Sequence, residues 1–328
     1  MRLLAVVLQR LAYGAGLLVA VLVLNFLLIR LAPGDPVQFL IGEMGGASEQ
    51  FIREIRAAYG LDRPVIEQLW IYLTRAAHGD LGRSYYYNAP VIDLFLARVW
   101  PTVLLIGVAT LLALVVGTTL GVLAARKPDG ALSAVVTILS LVGYAAPVFW
   151  TGLLLVILFA SVMPILPVQG MRNLSLQGST VAHALDVARH LVLPAVTLAI
   201  VYMAQYSRLT RASMMEVLGA DYIRTARAKG VREFSVVFRH ALRNAILPVI
   251  TITGLHFGQL LSGAVLVETI FNWPGLGTLA YDSILRRDYP TILGLLFFAA
   301  IMVVVANILT DLCNAWADPR IKTGGNPA

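Results

Sequence analysis

Five histidines, His78, His183, His190, His240 and His256, are the side chains best able to bind a metal or carry a proton, and none sits in an H-E-x-x-H pair. No G-x-S-x-G presents a serine nucleophile. None of the three lysines, Lys127, Lys229 and Lys322, has the glycine framing of a G-x-x-x-x-G-K-[ST] phosphate loop. His256 has no second His or Cys at ligand spacing, so it reads as a packing residue and no metal site is expected. The chain therefore reads as a non-enzyme that binds no cofactor of its own. What its residues can do is mechanical. Gly219–Pro248, GADYIRTARAKGVREFSVVFRHALRNAILP, is a basic, amphipathic run between two long apolar segments, too polar for lipid and too patterned for a slack linker.

Within that run, Tyr222, Ile223 and Ala226 share one helical face, while Asp221, Arg224 and Arg227 lie elsewhere. Gly230 falls where a helix would stop and the backbone turn back with φ > 0. Val231–Arg243 then reads as a second amphipathic helix with Val236, Val237 and Ala241 facing inward. On its residues alone, the helix–glycine–helix is equally a stiff lever that engages a partner and an interfacial element facing anionic lipid.

The elements that must carry it are set by composition. Hydrophobic residues make up 59% of the chain and charged ones only 13%, and the mean hydropathy is +0.80. An ordinary soluble chain is about a quarter charged. Runs of about 20 apolar residues suffice to cross a bilayer core. Six are present: Leu11–Ile29, Thr102–Ala124, Ser133–Ala160, Leu191–Leu209, Ile246–Val267 and Thr291–Trp316. Backbone groups in lipid must be satisfied internally, and no ten-residue alternation suggests a barrel, so an all-α, six-span membrane protein is expected. Leu11–Ile29 is long for a signal-peptide core and lacks a small-x-small cleavage site, so it reads as a retained first helix.

The net charge of +7 is spread over loops, which fits positive-inside bias rather than nucleic acid. With both termini placed inside, fourteen Lys/Arg are cytoplasmic; setting aside the long segment 31–98 and Arg30 leaves four outside, Arg172, Arg189, Arg286 and Arg287. Cys313 is the only cysteine, so no internal disulfide is available. The expected organisation is a cytoplasmic start and first span over 1–30, an extracytoplasmic loop over 31–98, a five-span core over 99–316 and a cytoplasmic tail over 317–328. The core includes the inner segment 210–245.

Local expectations follow from punctuation. Pro101 suits a helix start, Gly117 and Gly121 let another helix approach closely, and Gly143 with Pro147 predicts a kink in the third span. Pro194 and Pro248 fall near span starts. A short helix is expected from Ser48-Glu49-Gln50 to Gly60, with Phe51, Ile55 and Tyr59 on one face. Another should follow Pro64, with Ile66, Leu69, Trp70 and Leu73 as its packing face. Polar groups in or near spans, Asn25, Tyr202, Gln205, Tyr206, His256, Gln259, Asn307 and Asp311, tend to face a bundle interior or a wet cavity. Tyr202, Gln205, Tyr206, His256 and Gln259 are the candidates for a translocation path, and Asp311 reads as a structural partner inside the bundle.

Asp221-Tyr222-Ile223-Arg224-Thr225-Ala226-Arg227-Ala228-Lys229-Gly230, followed by His240-Ala241-Leu242-Arg243-Asn244 and Leu247-Pro248, resembles the coupling segment of bacterial ATP-binding-cassette importer permeases. The likeness is to the first permease subunit of the dipeptide/oligopeptide/nickel group. It extends through Leu31-Ala32-Pro33-Gly34-Asp35-Pro36, Gly60-Leu61-Asp62-Arg63-Pro64, Gly79-Asp80-Leu81-Gly82-x-Ser84, and Pro90-Val91 followed by Arg98 and Pro101-Thr102. It continues in Val267-Glu268-x-Ile270-Phe271-x-Trp273-Pro274-Gly275-Leu276-Gly277 and Asp318-Pro319-Arg320. Where the wider superfamily has Glu-Ala-Ala, this chain has Arg224-Thr225-Ala226 and a longer spacer to Leu-Pro, a variant the peptide group shares. The resemblance implies the type I permease fold in the bacterial inner membrane. It implies a second homologous permease, two ATP-binding subunits that use ATP and Mg, and an extracytoplasmic solute-binding protein. Ala220–Gly230 would dock on the ATP-binding subunit. It implies peptide import, with nickel chelates, glutathione or another small solute as alternatives. An ion-gradient-driven secondary transporter is the rival from another class, but no matching halves are evident.

Overall fold

Helices occupy all six apolar runs, as backbone satisfaction in lipid demands. The computed structural model describes residues 2–31, 63–173 and 175–317, with side chains described for 12–28, 63–173, 175–253 and 264–310. Among the described residues there is no strand beyond one isolated bridge, Arg83 to Pro90. In chain order the helices are α1 (Arg2–Leu31), α2 (Val65–Ala77), α3 (Val91–Arg126), α4 (Ala131–Ala145), α5 (Val148–Val156, continued by a π turn, Ile157–Val162) and α6 (Thr180–Leu218). There follow α7 (Asp221–Ala228), α8 (Glu233–Ser235), a π turn (Val236–Ala241), α9 (Leu242–Ala245), α10 (Leu247–Ile270), α11 (Leu276–Leu285) and α12 (Tyr289–Ala317). Among the described residues α3, α6 and part of α12 are each long and apolar enough to cross a membrane, and the bent pair α4–α5 makes a fourth. Helices α1 and α10 occupy the first and fifth expected spans. The segment from Ser48 to Gly60 lies outside the described residues.

Contacts divide the chain into two compact units, Met1–Arg98 with Ala280–Val304, and Val99–Leu279 with Val305–Ala328. In the first, α2 packs on α1, and Asn25 Nδ2 donates to the Leu293 carbonyl at 3.1 Å. Asp288 is buried and gathers the Ser84 hydroxyl, the Tyr85 N–H and the Thr291 hydroxyl, so one carboxylate pins a loop to the start of α12. Left-handed Gly79 and Gly82 shape that loop.

In the second unit α6 is the hub, packed by α4, α5 and α10. Gly117 and Gly121 meet it as expected: a Cβ at Gly117 would lie 2.7 Å from the Met203 carbonyl oxygen, and one at Gly121 2.6 Å from that of Ser207. A second buried carboxylate organises the far end of α10. Glu268, 0% exposed, accepts from the Thr102 hydroxyl at 2.6 Å, the Gly277 N–H at 2.6 Å and the Thr278 N–H at 3.2 Å. It thereby caps α11. The Trp273 indole N–H donates to the Pro101 carbonyl at 2.9 Å, and the Leu276 N–H to Thr102 Oγ1 at 2.8 Å.

Four local expectations change. Pro101 is inside α3, not at its start. The residues before it continue as helix, and membrane helices tolerate the lost bond when neighbours supply other partners. Pro194 is likewise interior to α6, which runs 39 residues rather than the expected nineteen or so. The third span is broken rather than kinked, with α4 and α5 bent by 105°. Ala146 and Pro147 are both extended, because proline disfavours the α conformation in the residue before it. Finally, α2 turns Gln68 and Ala76 inward and leaves Ile66 and Trp70 exposed, so its buried face is rotated from the apolar stripe. The Gln68 carboxamide is held by the Arg63 carbonyl at 2.7 Å, which lets a polar residue take the buried position.

Candidate functional site

Gly219 and Ala220 turn the chain out of α6, and Ala220 takes the extended backbone of an N-cap before α7. The helix closes at Gly230, whose φ is +77°. Its N–H donates to the Arg227 carbonyl at 2.9 Å, and the Val231 N–H to that of Ala226 at 3.2 Å. These are the two crossed bonds of a Schellman closure, and Ala226 and Val231 pack on the same apolar cluster beneath it. A side-chain-bearing residue pays about 1–2 kcal/mol to hold that backbone, which is why glycine stands here. A Cβ at this position would meet nothing within 4 Å, so the demand comes from the backbone rather than from crowding.

Ile223 is fully buried and seats α7 on Val122 and Ala125 of α3, Met214 of α6, and Val236, Val237, Ala241 and Ala245. Burying such a side chain contributes about 1.5–3 kcal/mol. The π turn places Val236 and Ala241, five residues apart, on one inward side. Asp221, Arg224, Thr225, Ala228 and Lys229 face outward and are exposed. Tyr222 lies at the edge, where its hydroxyl accepts from Asn244 Nδ2 at 2.8 Å and ties the two arms together.

Arg227 does not reach outward as a free charge. Its Nε and terminal nitrogen donate to the two oxygens of Glu233 at 3.2 and 2.8 Å, a bidentate clasp across the glycine turn. The hydrogen bond from Arg227 holds the Glu233 carboxyl below its ordinary range, and the same bond raises the guanidinium pKa. Sequence reading missed this pair and the Tyr222–Asn244 bond. The only signal was an acidic residue six places after an arginine, across a predicted glycine turn. Arg224 reaches Asp221 at 3.5 Å, and Lys229 has no ion-pair partner among the described residues. The hairpin is thus a closed, braced surface, with Lys229 at the end of α7 and Arg232, Arg239 and Arg243 on the second arm as exposed cations that have no ion-pair partner among the described residues.

The candidate path residues divide. Tyr202 and Tyr206, four apart on α6, share a face and are buried at 7% and 0% exposure. Gln205, on another face of the same helix, lines a cleft with Thr137, Tyr144, Arg208 and Arg211. His256 and Gln259 lie in α10, and Asp311 in α12, with side chains outside the described ones. His78, His183 and His190 each turn Nδ1 to a carbonyl four residues earlier, a local helix contact.

Two family models match the chain. One, described as binding-protein-dependent transport system inner membrane component, covers residues 117–323. The other, the N-terminal part of such membrane components, covers residues 3–106. The oligopeptide transport system permease protein AppB of Bacillus subtilis is 40% identical over 97% of this chain and 99% of its own length. The dipeptide transport system permease protein DppB of Escherichia coli K12 is 38% identical over 96% and 98%. The di/tripeptide transport system permease protein DppB of Pseudomonas aeruginosa is 41% identical over 92% and 94%.

Proposed function

Because this chain belongs to the binding-protein-dependent transport system inner membrane component family, we propose that it is the permease through which an ATP-driven importer moves di- or oligopeptides into the cytoplasm. The observation that carries this reading is end-to-end similarity, near 40% identity, to permeases named for peptides. Membership in this family brings a binding protein and an ATPase as partners. The finer composition we infer is one second homologous permease, two ATP-binding cassette subunits and one extracytoplasmic solute-binding protein, set in membrane lipid.

Both termini are assigned to the cytoplasm, because that choice puts fourteen Lys/Arg inside against four outside once the long loop is set aside. The hairpin then projects toward the ATPases. Nucleotide binding draws those subunits together, with Mg and ATP held entirely by them. The docked α7 follows: Asp221, Tyr222, Arg224, Thr225, Ala228 and Lys229 supply the contact surface, Ala226 and Ile223 the seat, Arg227 the brace and Gly230 the turn. Motion passes through the apolar seat to α3 and α6, and the permease exchanges inward-open and outward-open states, a two-state equilibrium biased by nucleotide. Tyr202, Gln205, Tyr206, His256 and Gln259 remain the candidates for the solute's route.

The test is reconstitution of the complete importer in vesicles with labelled dipeptide and loaded binding protein. Uptake should require ATP inside and be abolished by a non-hydrolysable analogue. Uptake that follows a proton or sodium gradient without ATP would overturn the reading. Competition by a nickel chelate or glutathione, but not by unlabelled peptides, would reassign the cargo.

A further inference from the structure

One wall of α6 carries Gln205, Arg208 and Arg211 into a cleft of about 740 Å³ whose opposite side includes Thr137 and Tyr144 of α4. That volume is in the range of small-ligand sites, roughly 300–1,000 Å³. Arg211 is fixed: its Nε donates to Ser133 Oγ at 3.0 Å and a terminal nitrogen reaches the Pro128 carbonyl at 3.4 Å. Arg208 is exposed and has no salt-bridge partner among the described residues. No Asp or Glu is among the described lining side chains. A planar guanidinium is thus left to face a concavity with a second positive charge three residues on, and neither has a salt-bridge partner among the described residues.

We propose that this cleft is an anion site that receives the carboxylate of a passing peptide, with Arg208 as its ligand. The inference rests on the peptide-import reading and deepens it. A charge that merely orients a helix in the membrane needs no concavity and no hydrogen-bonding neighbours, and this one has both. The guanidinium fork matches a carboxylate bidentately. Gln205 lies six residues before Arg211 on α6 and Tyr144 eleven after Ser133 on α4, so polar partners continue along the cleft away from the Arg211–Ser133 contact. Peptide amides require such partners, whereas the acyl chains of a bound phospholipid would meet them with nothing to exchange.

The experiment uses the complete importer in vesicles of neutral phosphatidylcholine. Uptake of a dipeptide with a free C-terminus is read beside ATP hydrolysis stimulated by the loaded binding protein. Arg208→Gln should lower uptake per ATP on the order of tenfold, the scale of one charge-assisted hydrogen bond. Arg208→Lys should recover most of it. Wild-type uptake by Arg208→Gln overturns the proposal. A loss that appears only after phosphatidylglycerol is added assigns Arg208 to a lipid headgroup and also overturns it. A parallel fall in ATP hydrolysis or in recovery of assembled complex makes Arg208 an assembly residue, with the same consequence. If the wild-type importer moves no peptide, the functional reading itself fails, and that is seen before any variant is compared.

Discussion

Glu268 and Glu233 are both carboxylates beside a short helix, and their surroundings could hardly differ more. Glu268 is wholly buried and accepts from Thr102, Gly277 and Thr278. Glu233 is half-exposed and answers one arginine across a turn. In the first region the charge is solvated by protein donors, and removing it strands them. In the second, water competes with Arg227 at every moment, so the clasp steers the turn without holding the fold together. Rigidity is concentrated where partners are far apart in sequence, and adjustability where they are local.

The comparison breaks first at Glu268. Glu268→Ala should lower stability by about 3–5 kcal/mol, because it leaves up to three buried donors unsatisfied at about 1–3 kcal/mol each, read as lost folded yield and earlier thermal unfolding in detergent. Glu268→Gln should retain much of the fold, since one amide oxygen can still accept from Gly277 and Thr278. Equal stability of all three proteins would erase the contrast. Next is the helix contact above the hairpin. Gly121→Val should cost about 1–3 kcal/mol through overpacking, because a Cβ there meets Ser207 and Thr210 at 2.6 Å. An unchanged melting curve would show that α3 and α6 separate freely.

Smaller in stability but sharper in function is Gly230. Replacement by Val forces a β-branched residue into φ near +77°, at about 1–2 kcal/mol, and should leave insertion intact while peptide uptake per ATP falls several-fold. Gly230→Asn, which tolerates the left-handed backbone, should stay near wild type. Normal coupling in Gly230→Val would remove the turn from the mechanism. The smallest effect belongs to Glu233. Its carboxyl is held below its ordinary range, so the clasp contributes fully above the unfolded carboxylate pKa and is lost as pH falls through the lowered folded value. Proteolysis of the hairpin should therefore quicken on acidification, and Glu233→Gln should make the rate pH-independent; its stability effect should stay under about 1 kcal/mol.

Much of this was legible in the chain. Helices show through long apolar runs, and the Schellman turn through a lone glycine after an amphipathic stretch. The break between α4 and α5 was visible only as Pro147; its extent depends on Ala146 adopting an extended backbone as well. Glu268 stood inside a recognised motif without a physical reason, because its partners at 102 and 277–278 come from other elements. Arg208 read as one positive-inside charge among many, since concavity leaves no mark in sequence. For α2, apolar spacing pointed at Ile66 and Trp70, yet hydrogen bonding drew Gln68 inward instead.

Helix α3 holds Thr102 in the Glu268 cage about a third of the way along its length and offers Val122 beneath Ile223 near its C-terminal end. Twenty residues of helical rise separate them, about 30 Å, the thickness of a hydrocarbon core. A rod held at one point cannot glide when its end is pushed; it pivots. Displacement should then shrink steadily from Val122 toward Thr102, so spin labels along that stretch of α3 would report a gradient of movement rather than a uniform shift.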